Sequence, residues 1–273
     1  MIRFRLRLRF GILLLLLAAV SGHGATSFVV DHPVADAFLA SGSIDNPAIG
    51  DLSSLNFGGA ATLAIASGGS PKGEFSSVVK FNFSDATAAF DSVHGAGNWE
   101  ITAVTISLAS NFGTPGAQPN NSMFNPVHAG GIGIDWLSQD AWVEGVAGSG
   151  GSAGFPATTL VSFNSISFLF SGSHESLGSY PYDPPGNNVY VDYPFALAPG
   201  FLADMTAGGD VSLYLYATDD EVSFLFNARS FASNRPRLTV TAAPIPEPSS
   251  AALTVIMIIS VSACCPRRTD RSP

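Results

Sequence analysis

The chain has only two cysteines, Cys264 and Cys265, and they are neighbours close to its C-terminus. Residues 26–243 therefore contain no cysteine, and no disulfide can hold them together. Disulfides matter most in small exported domains, whereas a segment of 218 residues can bury enough apolar surface to fold without one. All-β domains of this size are often single units. We therefore expect one domain held by its hydrophobic core.

Positive charge is also scarce in residues 26–243. Five basic residues stand there against nineteen acidic residues, which gives a formal net charge of −14. The other seven basic residues are arginines near the two chain ends. A segment with this charge repels phosphate backbones, so the composition argues against a nucleic-acid partner.

Catalytic patterns are missing as well. No Gly-x-Ser-x-Gly sequence stands at a predicted strand-to-helix turn, and the four histidines of residues 26–243 stand singly, without a zinc-binding spacing. A pair of glycosidase carboxylates cannot be recognised from spacing, because its geometry is tertiary. We expect no enzymatic activity and no resident metal. The densest acidic run, Asp219-Asp220-Glu221, is typical of a polar turn, with calcium binding as the alternative.

Residues 1–25 have the pattern of a secretory signal peptide. Four arginines between residues 3 and 9 precede the apolar run of residues 10–20, and small residues follow it. The apolar run is shorter than the ~20 residues that usually span a bilayer, which disfavours an uncleaved anchor. We expect the chain to be exported, with cleavage between residues 21 and 25.

Residues 243–273 combine three features. The proline-rich tripeptide Pro246-Glu247-Pro248 is extended because each proline restricts its own φ and the residue before it. A helix predicted over residues 249–265, whose apolar run begins at Ala251, is close to membrane-spanning length. Basic residues close the chain at Arg267, Arg268 and Arg271. Because positive charge stays cytoplasmic, the preceding residues are placed outside the inner membrane.

This arrangement resembles the PEP-CTERM sorting signal of Gram-negative bacteria. The resemblance implies that exosortase, a membrane protease, recognises the tripeptide and removes the helix. The protein would then be transiently anchored and released to the cell surface or extracellular matrix. The sequence Cys264-Cys265-Pro266 before the arginines departs from the usual tail. The alternative is a plain C-terminal anchor with a proline-rich linker.

Residues 26–242 show short apolar runs separated by glycine, serine and proline, which predicts an all-β fold. In residues 77–83, Val79, Phe81 and Phe83 alternate with Lys80 and Asn82, so we expect the first set inward and the second outward on the surface. We predict a helical turn at 201–207, irregular segments at 111–131 and 173–188, and a hairpin over 211–227. Strands are predicted at 34–40, 62–66, 77–83, 99–108, 132–137, 159–171, 189–197, 211–217, 222–227 and 237–242.

The order of several short stretches resembles the DNRLRE-type carbohydrate-binding module of secreted bacterial proteins. The stretches are 35–38, 56–58, 77–83, 140–145, 204–206 and 231–240. The resemblance implies a single antiparallel β-sandwich, jelly-roll-like, between the signal helix and the C-terminal transmembrane helix. Residues 233–235 depart from the family pattern, and residues 172–188 look inserted.

Aromatic side chains are the best candidates for binding, since tryptophan and tyrosine rings stack on the C–H faces of sugars and also form hydrogen bonds. The candidates for glycan binding are Trp136, Trp142, Tyr180, Tyr182, Tyr190 and Tyr193. We expect a surface or matrix protein whose partners are an exosortase, the membrane before processing, and an extracellular polysaccharide. The alternatives are a purely structural matrix protein and a polysaccharide-degrading enzyme.

Overall fold

The computed structural model describes residues 24–43, 50–69, 72–111, 130–145, 160–182 and 186–246. The predicted signal peptide up to residue 23, the predicted transmembrane helix, Glu247, Pro248 and the three tail arginines lie outside these ranges. Within them, no helix combines the length and the hydrophobicity needed to cross a bilayer.

Strands dominate the described residues. The strands are β1 (Thr26–Val30), β2 (Ala35–Ala40), β3 (Gly42–Ser43), β4 (Gly50–Asp51), β5 (Thr62–Ala66), β6 (Phe75–Asn82), β7 (Trp99–Ala109), β8 (Gly131–Leu137), β9 (His174–Pro181), β10 (Tyr190–Pro194), β11 (Asp210–Ala217), β12 (Ser223–Asn227) and β13 (Arg237–Pro244). The helices are α1 (Ser84–His94), a 3₁₀ turn (Phe163–Ser165), α2 (Ile166–Leu169) and α3 (Pro199–Ala207).

The longer strands form two antiparallel sheets with a common core. Sheet A has the order β1-β13-β7-β10, and sheet B has the order β12-β5-β6-β11-β8-β9, with β2 also paired to β6. Residues of both sheets meet in one hydrophobic cluster, among them Ile106 and Val240 from sheet A and Phe81 and Leu213 from sheet B. The prediction of an all-β, antiparallel domain is confirmed.

Strand β6 has the alternation that its sequence predicts. Val79, Phe81 and the following Phe83 are at most 1% exposed and lie in the common core. Lys80 lies on the opposite face, but the prediction that it is a surface residue is wrong, because it is only 7% exposed. Asn82 is half-buried and donates a hydrogen bond to Asp210 Oδ1.

Lys80 is buried because a second layer covers the outer face of sheet B. Residues 138–145, which we call the strap, cross this face and insert Trp142 into a hydrophobic cluster with Val78 and Tyr214. Lys80 Nζ donates hydrogen bonds to the carbonyl oxygens of Asp140, at 2.6 Å, and Trp142, at 2.9 Å. The ammonium also lies 4.5 Å from the centre of the Trp142 ring, a cation–π contact. Burial lowers the pKa of Lys80.

Residues 159–171 are not the predicted strand. Their described part forms the 3₁₀ turn and α2 instead. The backbone amide of Ser162 donates a 2.8 Å hydrogen bond to Ser165 Oγ, and the two serines form a reciprocal capping box. These local bonds between side chain and backbone favour a helical start over the strand propensity of the phenylalanines.

Two further predictions are corrected by strand pairing. The segment 173–188 is not wholly irregular, because it includes β9, which pairs with β8 at the edge of sheet B. The sequence of β9 is polar because most of its residues are exposed or half-buried at this edge. The segments β11 and β12 are not a hairpin, since β11 lies between β6 and β8 whereas β12 pairs with β5. Their hydrophobic alternation identifies strands but not the neighbours of each strand.

We predict that Phe81→Ala and Lys80→Ala both destabilise the domain, by different mechanisms. Removing the Phe81 ring loses its transfer free energy and leaves a cavity, at a cost of about 3–5 kcal/mol. Removing the Lys80 ammonium leaves two strap carbonyls without their donor, at a cost of about 1–3 kcal/mol. The measurement is urea unfolding of each variant. The exposed Glu100→Ala should stay within about 0.5 kcal/mol of the parent. A Lys80→Ala loss as small as that of the control would contradict the role of the ammonium.

Candidate functional site

The two tryptophans predicted to bind glycan are buried. Trp136 is 5% exposed and donates its indole N–H to Asp204 Oδ2 at 2.8 Å. Trp142 is 2% exposed and donates to Ser212 Oγ at 2.8 Å. They lie in different hydrophobic clusters, Trp136 in the common core and Trp142 under the strap. Neither ring offers a face to a ligand, so the predicted contact role does not fit this structure.

The four predicted tyrosines divide into two pairs. Tyr182 and Tyr193 are 4% and 2% exposed, and Tyr182 stacks on Phe224 with ring centres 3.5 Å apart. The glycan role predicted for these two rings also does not fit their burial. Tyr180 and Tyr190 are half-buried, and their hydroxyls donate to the carbonyl oxygens of Pro194 and Arg235. Glycan binding by Tyr180 and Tyr190 stays a prediction.

A groove on the outer face of sheet B is a better candidate site. It has a volume of about 550 Å³ and lies where the outer layer of this sheet ends, beside the turn between β11 and β12. The side chains that give it chemical character are Glu74, Asp135, Phe170, Tyr214, Tyr216, Asp219 and Asp220.

Aromatic rings line one side of this groove. Tyr214 and Tyr216 are stacked, with centres 5.6 Å apart and planes at 21°, and Phe170 meets Tyr214 edge-on at 5.0 Å. Phe170 and its neighbours cover Tyr214, which is 6% exposed, whereas Tyr216 is half-buried. Tyr216 lies opposite Gly133 on β8, and a Cβ there would overlap its ring. Gly133 therefore allows the Tyr216 ring to lie flat on the sheet with its other face toward the groove.

Carboxylates line the rest of the groove. Partial burial raises the pKa of Glu74 and of Asp135, and the Tyr216 hydroxyl lies 3.4 Å from Asp135 Oδ1. Asp219 accepts hydrogen bonds from the backbone amides of Gly131, at 2.7 Å, and Glu221, at 3.0 Å. It therefore holds the turn against the start of β8, which agrees with the polar-turn interpretation. The described lining residues include no lysine or arginine.

Calcium binding was the alternative for residues 219–221. In the part of the chain that the structure describes, no three or more histidine, cysteine, aspartate or glutamate side chains are grouped so that they could hold a metal ion. The Asp219 oxygens already accept two backbone amides. We therefore do not propose that this turn binds a metal ion.

Apart from Asp219 and Asp220, which were predicted as part of a polar turn, the groove residues were not among the sequence predictions, although one signal was present. Ser212, Tyr214 and Tyr216 alternate with Val211, Leu213 and Leu215 along β11, which places both tyrosines on the face away from the common core. The sequence does not show where the strap stops covering that face. Glu74 and Asp135 come from separate strands or loops, and only the fold brings them together.

A partly buried cluster of hydrogen bonds and one ion pair anchors the strap on its other side. The backbone amide of Arg229 donates to Asp36 Oδ2, and Arg229 Nη2 donates to both oxygens of Glu144, at 2.8 and 2.6 Å. Asp36 is 1% exposed on β2, and burial raises its pKa to about 7, against the lowering effect of the Arg229 amide. This cluster connects β2, the strap and the segment before β13.

Neither the family models nor the curated proteins that were searched contain a match to this chain.

We predict that Asp36 makes the folded domain less stable as the pH rises from about 4 to about 7. The folded state keeps a proton on Asp36 that the unfolded state releases near the ordinary aspartate pKa of 3.8. Folding therefore binds a proton in this window, and deprotonation costs at most about 4 kcal/mol for a shift of about three pKa units. Urea unfolding at several pH values should show this loss, and Asp36→Asn should reduce it.

The control for this experiment is Asp31→Asn, which changes an exposed aspartate close to β2. It should leave the pH dependence of the parent unchanged. Equal slopes for Asp36→Asn and the parent would show that Asp36 is ionised in both states.

Proposed function

We propose that this protein is an exported surface or matrix protein whose β-sandwich, of jelly-roll-like type, binds an extracellular polysaccharide in the groove. The observation that carries this proposal is the Tyr216 ring, which lies flat over Gly133 with carboxylates beside it. Carbohydrate rings offer C–H faces to an aromatic platform and hydroxyl donors to carboxylate oxygens. The groove supplies both kinds of partner.

The charge of the groove limits the class of polysaccharide. Glu74, Asp135, Asp219 and Asp220 line it, and no basic side chain lies among the described lining residues. Like charges repel one another, and charges at the partly buried Glu74 and Asp135 are screened less by solvent than fully exposed charges are. A neutral or amine-bearing polysaccharide fits this groove, whereas a polymer of uronic acids does not.

A second candidate function is glycoside hydrolysis. Glu74 and Asp135 both line the groove, and burial raises the pKa of each. A carboxylic acid with a raised pKa can act as the general acid beside a second carboxylate. Release of reducing sugar from a bound polysaccharide, abolished by Asp135→Asn, would establish this function in place of simple binding.

Sorting by an exosortase-type protease is the other part of the proposal. The backbone amide of Ile245 donates to the carbonyl oxygen of Asn98 at 2.9 Å, and Pro246 follows directly. The tripeptide Pro246-Glu247-Pro248 thus begins one residue after this hydrogen bond to the domain. Cleavage after Ser249 would remove the apolar segment and leave the whole of β13 in place.

We predict that Tyr216→Ala weakens polysaccharide binding about 2- to 12-fold, because an aromatic stacking contact contributes roughly 0.5–1.5 kcal/mol. The measurement is calorimetric titration of the folded domain with neutral, amine-bearing and uronic acid polysaccharides. Phe28→Ala is the control, since Phe28 is also a half-buried aromatic residue but lies in sheet A and was not predicted to bind glycan.

The control should keep the parent affinity, and the uronic acid polymer should not bind. Binding of all three polymers with no change in Tyr216→Ala would contradict the assignment of the groove. Failure of every polymer to bind would favour the purely structural alternative.

We predict that the surface form of the protein lacks the apolar segment after Ser249. Mass spectrometry of the exported protein should find a C-terminus close to the tripeptide. Glu247→Ala should leave the protein in the membrane fraction with its full length, because the tripeptide loses its charged group. Detection of intact Cys265 in the released parent protein would rule out this processing.

A further inference from the structure

The first strand, β1, begins at the same side of sheet A at which the last strand, β13, ends. Strands β1 and β13 are antiparallel, with Thr26 opposite Ala242 and Val30 opposite Leu238. The start of β1 therefore lies beside the end of β13. Pro244 is opposite Trp99, the first residue of β7, in the neighbouring pair. We call this end of the sandwich, which contains Thr26, Trp99 and Pro244, the terminal end.

The groove lies toward the opposite end. Strand β7 runs away from the terminal end for 11 residues, which at about 3.4 Å per residue is roughly 35 Å. Just beyond β7, Ser110 pairs with Phe226, and the Asn111 amide donates to Leu225 O at 2.8 Å. Strand β12 is therefore at the far end, together with the turn of residues 218–221 that borders the groove.

The sequence continues from the terminal end in both directions toward apolar segments. Residues 21–25 separate the predicted signal segment from β1, and residues 246–250 separate Ile245 from the apolar run that starts at Ala251. Five extended residues span at most about 18 Å. The arginines flank each apolar run on the side away from the domain, so both runs enter the membrane from the same face.

These observations lead to one arrangement, which rests on the export proposed above. We propose that the terminal end of the sandwich faces the lipid bilayer while the apolar segments remain attached, and that the groove faces away from it. The antiparallel pairing of β1 and β13 places Thr26 and Pro244, from which the two spacers continue, on one side of the domain. A polysaccharide can then reach the groove before the tail is processed.

The surface of the terminal end is acidic, which favours attachment to the membrane through the two apolar segments and not through the surface itself. Asp85, Asp91 and Glu100 lie on α1 and the start of β7 around this end. Acidic side chains gain nothing from an anionic lipid surface. The proposed orientation therefore comes from the two spacers and not from binding to lipid headgroups.

The test uses the full-length protein in phosphatidylcholine vesicles, with Cys264→Ser and Cys265→Ser as background. One single-cysteine variant is Ala96→Cys, in the exposed turn between α1 and β7, and the other is Glu221→Cys, in the exposed turn between β11 and β12. Each is labelled with a fluorophore, and a quencher is carried by the lipid headgroups. We expect several-fold stronger quenching at residue 96 than at residue 221.

Flotation of the vesicles separates the two proposals. Flotation together with equal quenching at both positions, or stronger quenching at residue 221, would overturn the orientation and leave the proposed anchoring intact. Failure of the protein to float with the vesicles would overturn both. Deletion of residues 251–273 should leave the order of quenching unchanged if the signal segment is retained, because both spacers start at the same end.

Discussion

The buried ammonium of Lys80 is the contact on which the outer layer of sheet B depends. A domain without disulfides must gain its stability from burial, and this sheet is covered on both faces. The strap that covers the outer face is irregular, and the donors to its carbonyl oxygens come from different parts of the chain, such as the Val161 amide to Val143 O at 3.0 Å. Lys80 Nζ supplies donors to two of them and lies against the ring of Trp142. A charged residue thereby allows an apolar side chain to pack where a sheet would otherwise meet water.

The groove lies where the outer layer of sheet B ends. Phe170 reaches Tyr214 but leaves the neighbouring Tyr216 half-buried, so the aromatic stack begins in the core and ends in solvent. The absence of a side chain at Gly133 allows the last ring to lie flat. Packing against the buried Tyr214 ring holds the orientation of the half-buried Tyr216 ring, and the proposed binding would use this preorganised platform.

Acidic groups are distributed through the same layers. Burial raises the pKa of Asp36, Asp140 and Glu144 around the strap and of Glu74 and Asp135 at the groove. Each such carboxyl group makes the folded state relatively more stable at lower pH. Arg229 compensates one of these carboxylates locally, through its ion pair with Glu144. The acidic side chains that line the groove are the basis for the proposed discrimination against uronic acid polymers.

Local pattern in the sequence was sufficient for the all-β class, for most strand positions and for the inward face of β6, because a period of two along a strand depends only on neighbouring residues. It could not show that Lys80 is buried or that Trp142 belongs to a core, since both follow from the strap crossing a distant strand. The sequence also did not determine which strands pair, since β11 and β12 follow one another in the chain without pairing as a hairpin. The groove needed the tertiary structure most, because Glu74, Asp135 and Tyr216 come from separate parts of the chain and meet only when sheet B has formed.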